Sequence, residues 1–341
     1  MSQPFVTVIV PARNEERYIE RCLYSLAAQD YPRERLEVLV LDGMSTDETP
    51  RIVTRFAAES TLDVRLLDNP RRKPAGAMNI ALGHARGEIV VRLDAHATAA
   101  TDFISRSVAA LEAGEAECVG GVIESEGDTW FGRAVALAMA SRFGVGGAAF
   151  RTGGEPGATD TVAFGAYRAS VFETIGGFAE DIDRGEDDEF NYRLLDTGGM
   201  ILLDPRIRAT YTVRGDMLAL WRQYFAYGRA KPEVLRRHPA QARVRQVVPP
   251  SFVAALATTA LAGRRTRWRP LLKLAGAYGA AVAGASMLTG RKQPATLPAL
   301  PVAFACLHVA YGLGFFVGAG DVLRHALVQT AENARRTEIP T

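Results

Sequence analysis

The chain has 341 residues, enough for one large or two modest domains, with 40 Lys and Arg against 38 Asp and Glu and a formal net charge of +2. That balance is too mild to argue for a nucleic-acid partner, and no basic run with interleaved aromatics occurs in the first half. Cys22, Cys118 and Cys306 are far apart, odd in number and form no CxxC pair, so they suggest neither a disulfide framework nor a zinc site, and a reducing compartment is expected.

Met1 runs straight into a strand-like segment, so no secretory leader is expected. Phe5 to Val10 is apolar and β-branched and reads as the first strand. The turn Pro11-Ala12-Arg13-Asn14-Glu15-Glu16 follows, then a helix with Ile19, Cys22, Leu23 and Leu26 on one face and Asn14 as its expected cap. Leu36 to Leu41 is a second strand ending at Asp42. Ser45 is the expected cap of the next helix, with Glu48 at capping-box spacing. Val64 to Leu67 is a short third strand, and the basic loop Arg71-Arg72-Lys73 leads into a helix from about Pro74 to Ala85. The fourth strand, Ile89 to Val91, runs into Arg92, Leu93, Asp94, Ala95 and His96. This alternation implies an α/β fold with a largely parallel sheet, whose right-handed crossovers gather the carboxyl ends of the strands along one edge. Pro11, Asp42 and Asp94 therefore converge.

That convergence carries the chemistry. A carboxylate and an imidazole, Asp94 and His96, just past a strand end are a divalent-cation pair suited to a diphosphate, although the same pair also suits a turn cap and a loop hydrogen bond. Asp42 reads as an acceptor for a base or ribose, or as a turn residue before Gly43. Arg71, Arg72 and Lys73 read as phosphate contacts or as a solvated loop. The middle third is less regular: Glu117 to Ile123 and Thr161 to Tyr167 read as strands, Trp130 to Phe143 as an apolar helix, and Gly144 to Gly157 as a mobile, Gly-rich lid. Then Gly176-Gly177-Phe178 precedes the acidic block Glu186-Asp187-Asp188-Glu189, followed by Phe190-Asn191-Tyr192-Arg193. Crowded carboxylates raise one another's pKa, so one of them suits a general base; the alternative is an acidic first turn favoured by the helix dipole. At helical spacing Glu186, Glu189 and Arg193 share a side, and Asp187 shares its face with Asn191 and Leu194.

Together these motifs resemble glycosyltransferase family 2, the inverting enzymes of the GT-A fold, and within it the bacterial exopolysaccharide enzymes of the succinoglycan glucosyltransferase type. The resemblance covers about residues 5 to 240. It implies a Rossmann-like, mostly parallel catalytic domain in which Pro11, Ala12, Asn14 and Glu15 line the nucleoside pocket and Asp42 reads the base. The family's second Asp is missing, since Gly43 and Met44 stand next. Lys73, Asn79 of Ala77-Met78-Asn79, and Asp94 complete the expected nucleotide-sugar contacts. Leu93-Asp94-Ala95-His96 occupies the place of the family's D-x-D metal motif, which implies a divalent cation, Mg2+ or Mn2+, on Asp94 and His96. By the same resemblance Asp187 is the catalytic base, with Glu186 and Asp188 beside the acceptor. Gln223-Tyr224-Phe225-Ala226-Tyr227-Gly228-Arg229 is similar to the family's Q-x-x-R-W gating segment, so Gln223 and Arg229 are the expected gating residues; the spacing differs and Arg-Trp is absent, which speaks against processive synthesis.

Met217 to Arg237 interleaves Trp221, Tyr224, Phe225 and Tyr227 with basic residues, which suits either a helix at a membrane surface or a core helix. Three uncharged runs follow, Gln246 to Gly263, Leu274 to Gly290 and Gln293 to Gly320, against roughly 20 apolar residues for a span. Arg264, Arg265, Arg267, Arg269 and Lys273 lie between the first two runs. Positive charge stays cytosolic, so the first run is expected to be re-entrant or interfacial and the other two to span. The expected organisation is a catalytic domain over 1–215, an interface region over 216–245, membrane helices over 246–325 and a polar tail over 326–341. The expected partners are a nucleotide-sugar donor, a lipid-linked or saccharide acceptor and a membrane, with no nucleic acid, at a bacterial inner membrane with the catalytic domain facing the cytoplasm. The rivals are a polyprenyl-phosphate hexosyltransferase, a non-catalytic nucleotide-binding scaffold of the same fold, and, more weakly, a nucleotidyltransferase.

Overall fold

The structure is a computed structural model that describes residues 3–114 and 116–337. Strand β1 (Val6–Ala12) is followed by helix α1 (Ile19–Ala27), β2 (Leu36–Asp42), α2 (Thr49–Glu59), β3 (Asp63–Asp68), α3 (Pro74–Leu82) and β4 (Ile89–Arg92). Next come β5 (Ala97–Ala99), α4 (Phe103–Ala113), β6 (Cys118–Glu126), α5 (Trp130–Met139), α6 (Arg142–Val145), α7 (Ala149–Thr152), β7 (Gly157–Ala158), β8 (Ala166–Arg168) and α8 (Ala169–Ile175). α9 (Glu186–Asp196) and β9 (Ile201–Thr212) precede a helical remainder. The chain divides into two compact units: residues 1–126 with 147–213, and residues 127–146 with 214–341.

The first unit is built on one sheet in the order β3-β2-β1-β4-β8-β6-β9-β5, with β7 pairing β9. β1 pairs in parallel with β2 and β4, and β2 with β3, because each connection is a crossover through a helix. β8 runs antiparallel to β4 and β6, so the sheet is mixed beyond its parallel half. β2 is buried at every position and β1 at all but Pro11, which is why both read as continuous apolar runs rather than alternating ones. α9 is held from behind by rings: Phe190 stacks on Phe178 at 4.4 Å and on Phe172 at 5.1 Å, and Tyr167 meets Phe190 edge-on at 5.4 Å. Phe190 is fully buried, worth about 1.5–3 kcal/mol relative to exposure.

Several local expectations are corrected. α1 begins at Ile19, so Asn14 is not its cap; Asn14 instead adopts φ 55° and its Oδ1 accepts from Thr46 N at 2.8 Å. α2 begins at Thr49 with no side-chain cap, and Ser45 Oγ accepts from Asn14 N at 2.9 Å. The two loops satisfy each other's backbone groups, which displaces both predicted caps. The 161–167 strand shrinks to β8, and the Gly-rich 144–157 stretch contains α7 between its glycines.

The second unit holds α5, α6, α10 (Met217–Arg237), α11 (Val244–Leu261), α12 (Gly263–Thr266), α13 (Arg269–Gly290), α14 (Leu300–Ala305) and α15 (Tyr311–Thr337), the last two joined through a π-helical turn over Cys306–Ala310. The apolar helix at 130–139, read from sequence as part of the catalytic domain, is therefore a member of this unit. α10 and α15 approach backbone to backbone. A Cβ on Gly318 would stand 1.9 Å from Arg229 O, on Gly228 2.0 Å from Tyr311 O, and on Gly314 2.1 Å from Phe225 O. Two helices here are long and apolar enough to cross a membrane by length and composition, Arg269–Gly290 and Leu300–Val328; α11, with Pro249 and Pro250 inside it, is not one of them.

The close crossing of α10 and α15 gives a direct test. Gly318→Val is expected to lower the thermal midpoint of the detergent-purified protein, at an overpacking cost of about 1–3 kcal/mol. Gly320→Ala, where an added Cβ meets nothing within 4 Å, is expected not to lower it, since Ala favours the helix over Gly.

Candidate active site

The register of the parallel strands sets the edge: Ala12 lies beside Asp42, and Asp42 beside Asp68. Above it the first two loops are laced together. Glu15 N donates to Thr49 Oγ1 at 2.8 Å, Gly43 N to Ala12 O at 2.7 Å, and Ser45 N to the Asp42 carboxylate at 3.0 and 3.3 Å. Asp42 is 5 % exposed, so it secures its own turn. Pro11 and Ala12 are the last residues of β1.

β4 delivers the central turn. Ala97 N donates to Asp94 O at 2.9 Å and Thr212 N to His96 O at 3.1 Å, which fixes the backbone between the two candidate ligands. Arg92 Nε donates to Asp94 Oδ1 at 3.1 Å and Arg92 Nη1 to Glu186 Oε1 at 2.9 Å. Burial works against the Asp94 charge, but Arg92, His96 and Arg184 outweigh it and hold its pKa below the usual carboxylate value. His96 meets the Tyr211 ring edge-on at 4.7 Å, and its Nδ1 stands 3.2 Å from Glu15 Oε1. Burial favours the neutral imidazole; Tyr211, Glu15 and Asp94 together outweigh it and push His96 up to about 9.

With the His96 ring deprotonated, as metal ligation requires, the donor set fits a divalent cation in chemistry. Among the described residues neither ring nitrogen of His96 makes an aligned hydrogen bond although both are buried, and the only hydrogen bond to the Asp94 carboxylate falls on Oδ1. Among the described residues no three His, Cys, Asp or Glu side chains are placed to hold a metal ion together. Asp94 and His96 would thus supply two ligands, leaving the rest to donor phosphates and water.

α9 carries the acidic block. It follows Gly185, whose φ of 79° turns the chain sharply into the helix. The four carboxylates have separate surroundings. Glu186 is 4 % exposed and its Oε1 accepts from Arg92. Asp188 Oδ1 accepts from Thr161 Oγ1 at 3.0 Å, and Thr161 in turn accepts from Asn191, whose Oδ1 takes the Tyr167 hydroxyl at 2.9 Å. Glu189 pairs with Arg193. Among the described residues Asp187 accepts only from Asp188 N, at 2.9 Å, and it remains partly exposed. Burial first, then the charges of Glu186 and Asp188, push it up to about 7, against the pull of Arg92.

Other expected contacts are engaged elsewhere. Asn79 bonds Phe178 through both ends of its amide and also Glu180, so it anchors the Gly-Gly-Phe turn beneath α9. Lys73 pairs with Asp183. Gln223 and Arg229 lie in the second unit, bonded to Tyr227 at 3.0 Å and Asp321 at 2.8 Å. Arg92 has no assigned role in the sequence reading; a charge closing an otherwise buried apolar strand is the signal that marks it.

A mixed, mostly parallel sheet with an acid–imidazole turn past one strand and an acidic helix start beside it is the arrangement that the GT-A resemblance implies. Residues 7–176 match the family model for glycosyl transferase family 2. The succinoglycan biosynthesis protein ExoA of Rhizobium meliloti is 31% identical over 313 residues, 91% of this chain and 93% of that protein. A dolichyl N-acetyl-α-D-glucosaminyl phosphate 3-β-D-2,3-diacetamido-2,3-dideoxy-β-D-glucuronosyltransferase of Methanococcus voltae is 29% identical over 68% of this chain and 74% of its own. The solved mannosyltransferase PcManGT from Pyrobaculum calidifontis, in complex with GDP-Man and Mn2+, aligns with TM-score 0.60 and 27% identity over 92% of this chain and 88% of that one. The chain belongs to glycosyltransferase family 2 and is a glycosyltransferase.

The raised Asp187 pKa has a stability consequence. In the unfolded chain the carboxyl ionises near its ordinary value of 3.8, whereas in the fold it keeps its proton to about 7. The folded state binds more protons between those values, so this group's contribution falls as pH rises through that window. Asp187→Asn is expected to raise the thermal midpoint, more at pH 8 than at pH 5, in parallel melts of the two proteins. Asn191→Leu, which strands Thr161 and Tyr167, is expected to cost about 1–3 kcal/mol at every pH.

Proposed function

We propose that the chain transfers a hexose from a nucleotide-sugar, UDP-linked by default, to a lipid-linked or saccharide acceptor with inversion at the anomeric carbon, in the assembly of a cell-surface polysaccharide or glycan. The observation that carries this reading is Asp187: a carboxylate with no cation hydrogen-bonded to it, a raised pKa, and a place beside the Arg92 that holds Asp94. A base must be close to the operating pH to take a proton efficiently, and such catalysis is worth roughly 10² to 10⁴-fold.

In this mechanism Asp187 accepts the proton of an acceptor hydroxyl as that oxygen attacks the anomeric carbon from the face opposite the leaving nucleotide. One displacement needs one base and no covalent glycosyl-enzyme, unlike the paired carboxylates of retaining hydrolases. Asp94 and His96 would hold a divalent cation, which supplies charge neutralisation of the leaving diphosphate. Thr161 and Asn191 fix the neighbouring Asp188, so the first turn of α9 presents Asp187 in one orientation. Membrane attachment is supported by the two apolar helices, and a cytoplasmic catalytic unit by three basic residues (Arg264, Arg265 and Arg267) before the first of them and two (Arg269 and Lys273) at its N-terminal end, against Arg291 and Lys292 after it. A membrane-bound enzyme suits a lipid-linked acceptor, one end of which lies in the bilayer.

The test is release of nucleoside diphosphate by the full chain in detergent, across a panel of nucleotide-sugars with and without Mn2+ and a membrane lipid extract. Release with one donor, boosted by the extract and lost in Asp94→Ala, is expected. Asp187→Asn should still bind nucleotide while losing most turnover, and the wild-type rate should fall as pH drops below about 7 as the base takes up its proton. Full turnover in Asp187→Asn would refute the assignment of the base. Nucleotide binding with no release from any donor would favour the scaffold.

A further inference from the structure

We propose that Arg92 is a positioning residue that fastens the donor-side turn to the helix carrying the base, holding Asp94 with one branch of its guanidinium and Glu186 with another. The inference rests on the reading of Asp187 as the base and concerns what keeps that base in place and ionisable.

Arg92 ends a strand whose preceding residues, Ile89, Val90 and Val91, are all buried, and its own side chain is only 12 % exposed. A guanidinium in such a place is stable only if its charge and donors are met, and each contact here is a carboxylate from a different element. Nε and Nη1 belong to one rigid plane, so the separation of the two carboxylates is set by the arginine itself. Glu186 is the first residue of α9 and follows the left-handed turn at Gly185, so its anchoring fixes the direction in which the next residue, Asp187, projects. A lysine offers one point charge and cannot span both partners in the same way. The groups facing Asp187 are Glu186 and Asp188 on its own helix, Arg92 from β4 and Tyr167 from β8. Arg92 is the one positive charge in that set. Its removal leaves Glu186 a buried carboxylate without its cation and Asp187 against unopposed negative charge, so Asp187 should hold its proton to higher pH.

A purely structural arginine would affect stability without moving the titration of Asp187. The experiment reads that titration through folding, in the full chain in detergent, and needs no knowledge of the donor. Thermal midpoints of the wild type and Asp187→Asn are compared from pH 4.5 to 9.5; the advantage of the Asn variant grows from the unfolded pKa upward and levels off at the folded one, so the midpoint of that levelling-off reports the folded Asp187. The same pair is then made in Arg92→Met and Arg92→Lys backgrounds. The expected result is a midpoint displaced upward by roughly 1 to 3 pH units in Arg92→Met. Arg92→Lys, which keeps the charge without the fork, should fall between. If Arg92→Met does not fold, the lysine pair alone decides, and any upward displacement in it supports the proposal. Unchanged midpoints in the Arg92 backgrounds would overturn it. An active Asp187→Asn would instead overturn the base assignment, so the two failures are told apart. With the donor found in the screen, the acid limb of the rate profile should move in the same direction in Arg92→Lys.

Discussion

Like charges crowded at one edge of a sheet are the constraint that the first unit has to satisfy. Glu186, Asp187 and Asp188 open α9 side by side in a partly desolvated space and repel, and Arg92 faces Asp94 as well as Glu186 and Asp187. The fold meets this by giving nearly every acid its own partner: Arg92 for Asp94 and Glu186, Thr161 for Asp188, Arg193 for Glu189. Asp187 alone is left with a backbone N–H, and the repulsion that the others are spared concentrates in its proton affinity. The site is therefore defined as much by how its neighbours are neutralised as by the reactive group itself.

The sheet and the chemical block were legible because they rest on short-range pattern. Buried parallel strands show as apolar runs, and β1, β2 and β4 lie within a residue or two of where those runs fall. The acidic block reads as a helix start because carboxylates suit that end of the helix dipole. The parts that were not legible depend on partners distant in sequence. Asn14 and Ser45 look like caps by type and spacing, yet they bond each other's loops from 31 residues apart. Glu186 and Asp187 are adjacent and chemically alike, and only the position of Arg92, 94 residues before Glu186, makes one a structural anchor and the other a titratable group. The helix at 130–139 has nothing in its composition to say that it packs with the C-terminal helices.

Asn79 and Asp42 show a related ambiguity. Both sit where the family pattern expects a contact with the nucleotide, and both are polar residues near strand or helix ends. The structure spends the Asn79 amide on Phe178 and Glu180 and the Asp42 carboxylate on Ser45 N. A motif residue that builds the loop around a ligand and one that touches it leave the same trace in sequence, since either role demands the same side chain at the same place.

A carboxyl that keeps its proton to about 7 weakens the fold at neutral pH, because the unfolded chain ionises it freely. The helix that carries it must be held by something insensitive to charge. The rings of Tyr167, Phe172, Phe178 and Phe190 do this, packed behind α9 with Phe190 and Tyr167 almost wholly removed from solvent. Apolar packing does not change when Asp187 gains or loses its proton, so the helix keeps one position in both protonation states. Asn79 then ties the turn at Phe178 to α3, and the Tyr167–Asn191–Thr161 chain ties the polar side of the same helix to β8. Asp187 thus sits on an element fixed from both faces, with Arg92 as the cation that reaches it from the strand.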